Sequence, residues 1–239
     1  MRDEVVTIRH CHAIDEFEQM VELEIAVWKF VERDVVPSQM YVVASKIGGQ
    51  VLGAFVGRKM AGFLLAYPGI RDGSPYLHSH MAAVLPEFSD LGIGRRLKLA
   101  QREDALARGI SLVEWTFDPL QSKNAYFNIC RLGAVTRRYL TNVYGNTTSP
   151  LHGGLPTDRL VAEWHLESER VVDLLGGKEP ARGPSVERVR IVMDEASAHS
   201  VAEIQSQARE RFLELFAAGY TVMWFEREPA GGSYILAKP

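Results

Sequence analysis

The spacing of apolar and polar residues predicts alternating strands and helices in the first half of the chain. Residues 5–9 have the pattern of a short strand, and residues 14–28 place apolar side chains at the 3.6-residue interval of an amphipathic helix. Two apolar, β-rich runs at residues 50–56 and 61–67 flank Gly57-Arg58-Lys59, which is typical of a β-hairpin. The chain is therefore expected to begin with a strand and a helix, followed by antiparallel strands.

The middle of the chain continues this alternation. A strand is predicted over residues 76–85, and a helix over residues 92–108 ends at Gly109, a residue suited to a helix C-terminus. A strand, a short helix and an extended segment then follow, at residues 110–117, 122–131 and 134–143. Helices that separate strands in this order indicate the α+β (mixed α/β) class, with a central mixed sheet flanked by helices.

Glycine and proline residues cluster at residues 174–184, where the composition changes. We interpret residues 176–184 as a linker between a larger domain, residues 1–175, and a small C-terminal α+β unit, residues 185–239. In that unit the pattern predicts a strand, an amphipathic helix and two further strands, at residues 189–193, 201–217, 220–225 and 234–237.

Composition and charge narrow the classes of function. The chain has 239 residues, of which 46% are apolar and 24% charged, and its formal net charge is −3. This charge gives no general attraction to nucleic acid or to an anionic membrane, so any phosphate binding must be local. The sequence lacks a signal-peptide core and any run of the ~20 apolar residues that cross a bilayer. Its two cysteines lie far apart, and we expect a cytoplasmic protein.

A turn with two glycines is the first candidate for ligand binding. Residues 84–97 read VLPEFSDLGIGRRL, in which a predicted strand ends and a helix begins with two arginines. A helix N-terminus binds anions because its first N–H groups lack intrahelical partners, and glycines allow an anion to approach them closely. The Rossmann and P-loop fingerprints are both incomplete here. Spacing alone leaves open whether this turn binds phosphate or only connects a strand to a helix.

This turn and a later segment, NAYFNICRLGA at residues 124–134, resemble the two central motifs of the GNAT superfamily of acyl-CoA-dependent N-acyltransferases. The resemblance implies a GNAT-like fold, with acetyl-CoA or another acyl-CoA as co-substrate and no metal. It places Val84 beside the pantetheine arm. It places five residues at the pyrophosphate, namely Leu91, Gly92, Ile93, Gly94 and Arg95. Ser89 stands where family members usually have an arginine or a glutamine.

The second motif matches in part. Leu132-Gly133-Ala134 corresponds to the end of its helix, and the resemblance implies that Asn124, at the start, contacts the CoA arm. Ile129 occupies the position at which many members have the tyrosine that protonates the leaving thiolate. Tyr126 and Tyr144 are alternative proton donors, and solvent is a third, because the thiol of CoA is acidic.

Further segments resemble one bacterial branch of the superfamily. They are HSHM, EWTFDPL, NVYG and GLPTDRLVAEW, at residues 78–81, 114–120, 142–145 and 154–164. The superfamily resemblance covers residues 1–170, and the branch resemblance extends to the C-terminus. It points to N-acylation of amino acids. The C-terminal unit is expected to cap the acceptor site or to form the contacts of a homodimer.

Attack by an amine requires a base, and two residues are candidates. His78 and His80 lie two apart on a predicted strand, so they face the same side, and in the family that strand borders the acyl group. We assign His80 as the base because imidazole titrates near neutral pH, and we interpret His78 as a hydrogen-bonded sheet residue. Glu114 lies in an apolar run, where an unpaired carboxylate is costly. It acts as a base through water, or it pairs with Arg159 or another cation.

The glycine-rich loop before residue 160 contributes candidates for acceptor binding. Arg159 has the forked donors that suit a carboxylate, on the acceptor or on an acyl group such as succinyl. The alternative is a structural ion pair. Asp158 and Tyr144 are assigned to the same substrate-binding group, and Asp118, before a proline, is interpreted as a turn residue.

These features predict transfer of an acetyl or other short acyl group to a small amine or amino acid, by direct attack on the thioester. A noncatalytic acyl-CoA-binding or interaction module is the alternative that Ile129 and Ser89 suggest. A nucleic-acid binder would use the basic helix, but the net charge opposes it. The basic residues of that helix are otherwise a solvated face, namely Arg95, Arg96, Lys98 and Arg102. His10-Cys11-His12 does not suit a metal, because neighbouring residues cannot easily all ligate one ion.

Overall fold

The structure, a computed structural model, describes residues 5–145, 154–178, 186–192 and 200–238. Contacts between Cα atoms divide them into two compact units, residues 5–113 and the described residues from Glu114 onward. The predicted linker lies partly outside the described residues, and the C-terminal segment belongs to the same unit as residues 114–145. In the described part of the chain, no helix is long and apolar enough to cross a membrane.

The first unit contains four antiparallel strands that are neighbours in one sheet, in the order β1-β2-β3-β4. Its strands are β1 (Val6–His10), β2 (Gln50–Val56), β3 (Lys59–Arg71) and β4 (Ser74–Val84). The predicted hairpin between β2 and β3 is confirmed. β3 and β4 extend beyond the predicted strands because they continue to pair as far as the turn that joins them.

Helices cover both faces of this sheet. The helices α1 (Ile14–Trp28) and α2 (Ser38–Lys46) pack on one face, where Phe17 and Tyr41 join the apolar core. The helix α3 (Ile93–Ala107) packs on the other face, with Ile93 and Leu97 among the buried side chains. The predicted α1 and α3 are confirmed.

The sequence pattern missed α2. This helix follows Pro37 without a side-chain cap, and it contains two adjacent valines, which favour strands locally. Tertiary packing outweighs these preferences, because Tyr41 and Ala44 are completely buried against the sheet. A 3-10 turn, Glu32–Asp34, lies between α1 and α2.

In the second unit, neighbouring strands follow the order β5-β7-β6. The elements up to residue 175 are β5 (Leu112–Phe117), whose residues from Glu114 onward lie in this unit, α4 (Ser122–Tyr126), β6 (Tyr139–Leu140), β7 (Arg159–His165) and α5 (Glu169–Leu175). The pattern missed β7 and α5. The predicted extended segment at residues 134–143 contains only a short strand, because its pairing changes between β7 and residue 222.

A second antiparallel sheet lies in the C-terminal segment, with the order β8-β10-β9. Its strands are β8 (Val186–Val192), β9 (Thr221–Glu228) and β10 (Gly231–Ala237), and α6 (Val201–Ala217) precedes β9. Phe212 of α6 stacks on Tyr139 and meets Tyr234 of β10 edge to face. The predicted α+β class is therefore confirmed, including the strands and helix of the C-terminal segment.

Candidate functional site

The turn between β4 and α3 forms the first part of the candidate site. Residues Pro86–Leu91 form a 3-10 helix, Gly92 follows in the left-handed conformation at φ 65°, and Ile93 begins α3. Glycine adopts this conformation without the steric cost that other residues have. A Cβ on Gly94 would come no closer than 3.9 Å to Val84 Cγ2, so this position is also open. The N-cap and the first turn of α3 therefore each present backbone with no β-carbon.

The start of α3 has the electrostatic character of an anion site. Among the described residues, no side chain caps this N-terminus, and the first turn contains no acidic residue. The Nε of Arg95 is buried and has no hydrogen-bond partner within the described part of the chain. Arg96 donates from its guanidinium to the carbonyl of Val6, 2.6 Å away. A buried donor without a partner costs about 1–3 kcal/mol, so an anion bound here would satisfy Arg95 as well as the helix N–H groups.

A β-bulge lies in β4 at the second of the two histidines. The pairing of β3 with β4 shifts by one residue between Ser79 and Met81, so His80 has no opposite partner in β3. The ring centroid of His80 lies 5.7 Å from that of Tyr67 and 6.2 Å from that of His78. Tyr67 packs on the core beneath α1 and α2. Both imidazoles therefore lie on that face, which confirms that they face the same side.

Both histidines favour the neutral imidazole at neutral pH. Burial lowers the pKa of His78 to about 4, and the nearby His80, Lys98 and Arg71 contribute further. Displacement of water by neighbouring protein atoms also lowers the pKa of His80, although this residue remains exposed. A general base must be unprotonated and accessible to its substrate. Both histidines meet the first condition, and His80, the exposed one, meets the second better.

A buried carboxylate lies in α1, one of the two helices that pack on this face of the sheet. Glu24 of α1 is fully buried, and it accepts hydrogen bonds from the N–H of Val36 at 2.9 Å and from the hydroxyl of Tyr41 at 3.2 Å. Burial raises the pKa of Glu24 to about 7 in spite of these bonds. The pKa of Tyr67 is raised mainly by the burial of Tyr67 itself and further by the charge of Glu24. Glu24 therefore interacts with Tyr67, whose ring lies beside that of His80.

In the second unit, Glu114 belongs to an ion-pair network. It is 2% exposed, and its Oε1 accepts a hydrogen bond from Arg138 at 2.6 Å. The same guanidinium donates to Glu163 at 3.0 Å, and Arg137 pairs with Glu163 at 2.9 Å. Burial acts to raise the pKa of Glu163, but the neighbouring imidazole and guanidinium groups outweigh it and lower the pKa. Glu114 is thus paired with a cation, Arg138, and the role of Glu114 as a base stays a prediction.

Asp158 is fully buried at the start of β7. Its carboxylate accepts hydrogen bonds from the hydroxyl of Tyr139 at 2.7 Å, from the N–H of Asn142 at 3.0 Å and from the Nε of Arg209 at 2.7 Å. Because Arg209 belongs to α6, this carboxylate joins β7 to the C-terminal helix. These contacts describe a structural role, and the assignment of Asp158 to acceptor binding stays a prediction.

Arg159 and Tyr144 lie together near the end of β5. The guanidinium carbon of Arg159 is 5.5 Å from the ring centroid of Tyr144, whose hydroxyl lies 2.7 Å from Thr116 Oγ1. Arg159 is 8% exposed and donates to the carbonyl of Asp158 at 2.8 Å. Burial lowers its pKa, but a guanidinium keeps its charge at neutral pH. This group suits a carboxylate, and acceptor binding by it stays a prediction.

The second motif begins as α4 and widens into a π-helical turn, Phe127–Arg131. Turns of this kind occur frequently at functional sites. Ile129 lies within it and is 1% exposed, whereas Asn124 of α4 is exposed. The guanidinium carbon of Arg227 lies 4.2 Å from the ring centroid of Tyr126. Position 129 therefore supplies no proton, and Tyr126, an alternative donor, packs beside a cation.

Three ionisable residues with buried contacts were missed as site residues: Glu24, Lys98 and Arg138. Glu24 comes seven residues after Phe17 on the apolar face of α1, which was an available signal. Lys98 is only 4% exposed, so its interpretation as part of a solvated face is wrong. Arg138 lies in an irregular segment and gave no signal. The interpretation of Asp118 as a turn residue is confirmed, because its carboxylate accepts from the N–H two residues later at 2.8 Å.

Comparisons with known proteins show which solved structures share this fold. No family model matches the chain, and no curated protein shows significant sequence similarity to it. Among solved structures, ribosomal-protein-S18-alanine N-acetyltransferase from Escherichia coli matches with a TM-score of 0.56 at 15% identity, over 69% of this chain and 96% of that one. An acetyltransferase of the GNAT family from Streptococcus pneumoniae matches with a TM-score of 0.53 at 16% identity, over 66% of this chain and 98% of that one.

A third structure, YncA from Salmonella typhimurium with its cofactor acetyl-CoA, has a TM-score of 0.54 at 16% identity, over 69% of this chain and 95% of that one. The three matches each cover about two thirds of this chain and nearly all of the other protein. Identities this low establish the fold alone. The chain therefore has the fold of the GNAT acetyltransferases.

Proposed function

We propose that the protein is an acyl-CoA-dependent N-acyltransferase that transfers an acetyl or other short acyl group to a small amine or amino acid. The observation that carries this proposal is the start of α3, where an uncapped N-terminus, a first turn without carboxylates and the partnerless Nε of Arg95 favour an anion. The similarity in fold to acetyltransferases, one of them solved with acetyl-CoA, supports the pyrophosphate of CoA as that anion.

Backbone groups of residues 91–95 and the side chain of Arg95 would hold the pyrophosphate. Val84 and Asn124 would contact the pantetheine arm, as the family resemblance implies. Ser89 leaves the loop without the arginine or glutamine that is usual at its position, so we expect phosphate binding to depend on the backbone and on Arg95.

Acyl-CoA supplies an acyl group that is activated as a thioester. His80 would accept the proton that the acceptor nitrogen loses as it forms its bond to the acyl carbon. Its lowered pKa favours the neutral imidazole that this step requires. The C–S bond of the thioester breaks as the C–N bond forms, and Ile129 offers no proton to the departing thiolate. We expect solvent to supply this proton, with Tyr126 and Tyr144 as the alternative donors. Glu114, acting through water, is the alternative base.

Arg159 and Tyr144 would bind a carboxylate through the buried guanidinium. An amino acid acceptor meets this requirement with its α-carboxylate, and a succinyl group meets it with its distal one. A simple amine that receives an acetyl group offers neither carboxylate. We therefore expect an amino acid acceptor, or succinyl-CoA as donor, to be preferred over a simple amine with acetyl-CoA.

Replacement of Gly94 tests the phosphate site. Gly94→Glu places a carboxylate in the first turn of α3, where it favours the helix but repels a pyrophosphate. Gly94→Gln adds nearly the same bulk without the charge and is the matched control. In calorimetric titrations with CoA, we expect Gly94→Glu to bind at least about 10-fold more weakly than Gly94→Gln, as an added repulsion of about 1.4 kcal/mol would produce. Equal CoA affinities for the wild type and both variants would contradict the site.

Release of free thiol tests the chemistry. Acetyl-CoA and succinyl-CoA are supplied with a panel of simple amines and amino acids, and thiol release is followed by absorbance. His80→Ala should remove the acidic limb of the pH profile of kcat/KM, whereas Glu114→Gln should preserve it. The opposite result would make Glu114 the base. Binding of CoA without turnover on the whole panel would favour a noncatalytic acyl-CoA-binding module.

A further inference from the structure

A buried lysine connects α3 to the strand that carries His80. Lys98 is 4% exposed, and its Nζ donates to Ser79 Oγ at 2.9 Å and to Gln101 Oε1 at 3.0 Å. The network continues through the side chain of Gln50, which accepts from Gln101 at 2.8 Å and donates to Asp104 at 2.7 Å. Burial of the ammonium lowers the pKa of Lys98 to about 7. Because burial of this group is costly, its presence indicates a role that outweighs the cost.

The hydrogen bond from Lys98 fixes the side of the sheet to which Ser79 points. In a regular strand, residues two apart share a face, so Ser79 would point the same way as Met81. Met81 packs in the core beneath α1 and α2, whereas Ser79 bonds to Lys98 of α3 on the opposite face. The bulge at His80 reverses the alternation between these two residues. Lys98 therefore holds one side of the bulge in place.

We propose that Lys98 is a positioning residue for His80. By holding Ser79 toward α3, Lys98 keeps His80, the next residue, on the other face beside His78 and Tyr67, and the bulge allows Met81 to share that face. The helix that carries Lys98 also begins at the proposed phosphate site, so one element holds both the anion and the strand of the base. This inference rests on the proposed function, in which His80 accepts the proton.

The charge of Lys98 gives a readout that is independent of turnover. This charge is one of the causes, after burial and His80, that lower the pKa of His78. Removal of the charge should therefore raise the pKa of His78, whatever reaction the protein performs. Among the described residues, the charged and titratable groups that act on the two histidines or contact their rings are Tyr67 and Arg71 of β3 and Lys98 of α3. Glu24 of α1 and Tyr41 of α2 interact with Tyr67 in turn.

The test compares Lys98→Met with Lys46→Met. Methionine keeps much of the length of lysine but has neither the charge nor the donor, and Lys46 is exposed on α2. We expect Lys98→Met to lower kcat by about 10- to 100-fold, as a displaced base does, to shift the acidic limb of the pH profile, and to leave the Kd for CoA within about 3-fold. Lys46→Met should match the wild type. Ser79→Thr, which keeps a hydroxyl, should retain more activity than Ser79→Ala.

Two outcomes separate this inference from the proposed function. If the wild type turns over and Lys98→Met has the same kcat and pH profile, the positioning role is refuted while the function stands. If the wild type does not turn over, the proposed function fails. The positioning role of Lys98 is then tested by NMR, through the titration of the His78 ring and the contacts between the His80 and Tyr67 rings. An unchanged His78 pKa with unchanged ring contacts in Lys98→Met would then refute the positioning role. If Lys98→Met does not fold, kcat and the contacts between the His80 and Tyr67 rings are compared between Ser79→Ala and Ser79→Thr, and equal results for the two variants would refute the positioning role.

Discussion

Replacement of Glu24 by glutamine should remove a pH-dependent loss of stability. Glu24 is fully buried, and burial raises its pKa from 4.5 to about 7. Its two hydrogen bonds, from Val36 and from Tyr41, do not offset that burial. The folded state therefore retains a proton on Glu24 in a pH range in which the unfolded chain has already released it.

The size and sign of the effect follow from the two pKa values. The difference between 4.5 and about 7 is about 2.5 units, which corresponds to about 3 kcal/mol. At a pH below about 4.5 the carboxyl is protonated in both states, and its titration costs no stability. As the pH rises from about 4.5 through about 7, the unfolded state loses the proton first, so the free energy of unfolding falls. Above that range the loss is complete and constant.

Urea denaturation at a series of pH values from about 5 to about 8 measures this contribution. Glutamine keeps an acceptor for the N–H of Val36 but does not titrate, so Glu24→Gln should gain stability over the wild type as the pH rises. The gain between the ends of the series should approach about 2–3 kcal/mol. Glu22→Gln, which changes an exposed carboxylate of the same helix, is the matched control and should follow the wild type.

Parallel stability curves for the wild type and Glu24→Gln would refute the reasoning. That result would mean that the folded state ionises Glu24 as readily as the unfolded chain does. A variant that becomes less stable with rising pH, relative to the wild type, would show that the ionised carboxylate stabilises the fold, which is the opposite sign.

Three further substitutions test the second unit. Asp158→Asn should destabilise the fold by about 2–4 kcal/mol in urea, whereas Asp173→Asn, which removes an ion pair with an exposed lysine, should cost under about 1 kcal/mol; unchanged stability with weaker acceptor binding would instead favour a ligand role for Asp158. Arg138→Met should cost about 1–3 kcal/mol near neutral pH and less in acid, where Glu163, whose pKa its cationic neighbours lower, becomes protonated. A loss independent of pH would contradict the ion-pair network. Tyr144→Phe should change stability by under about 1 kcal/mol but raise KM for an amino acid acceptor more than for a simple amine, and equal effects on both KM values would argue against acceptor binding by this group.

The local sequence pattern was sufficient to predict those elements whose structure depends on residues close together in the chain. The helix at residues 14–28 and the one at residues 201–217 have the predicted bounds, because apolar spacing and capping act within a few residues. The turn at Gly92 was also predicted, since its left-handed backbone depends on that residue type. In contrast, α2 has weak local signals and depends on the burial of Tyr41 and Ala44 in the core.

The amino-acid sequence by itself determined the α+β class, the turn that leads into α3 and the placement of the two histidines on one face of β4. It did not determine the partners of the buried charges. Glu114 meets Arg138 across 24 positions, Asp158 meets Arg209 across 51, and Lys98 meets Ser79 across 19. Such contacts arise when separate elements pack, and each is needed because a charge removed from water requires a partner. The tertiary structure therefore decided which ionisable residues hold the fold together and which remain accessible for chemistry.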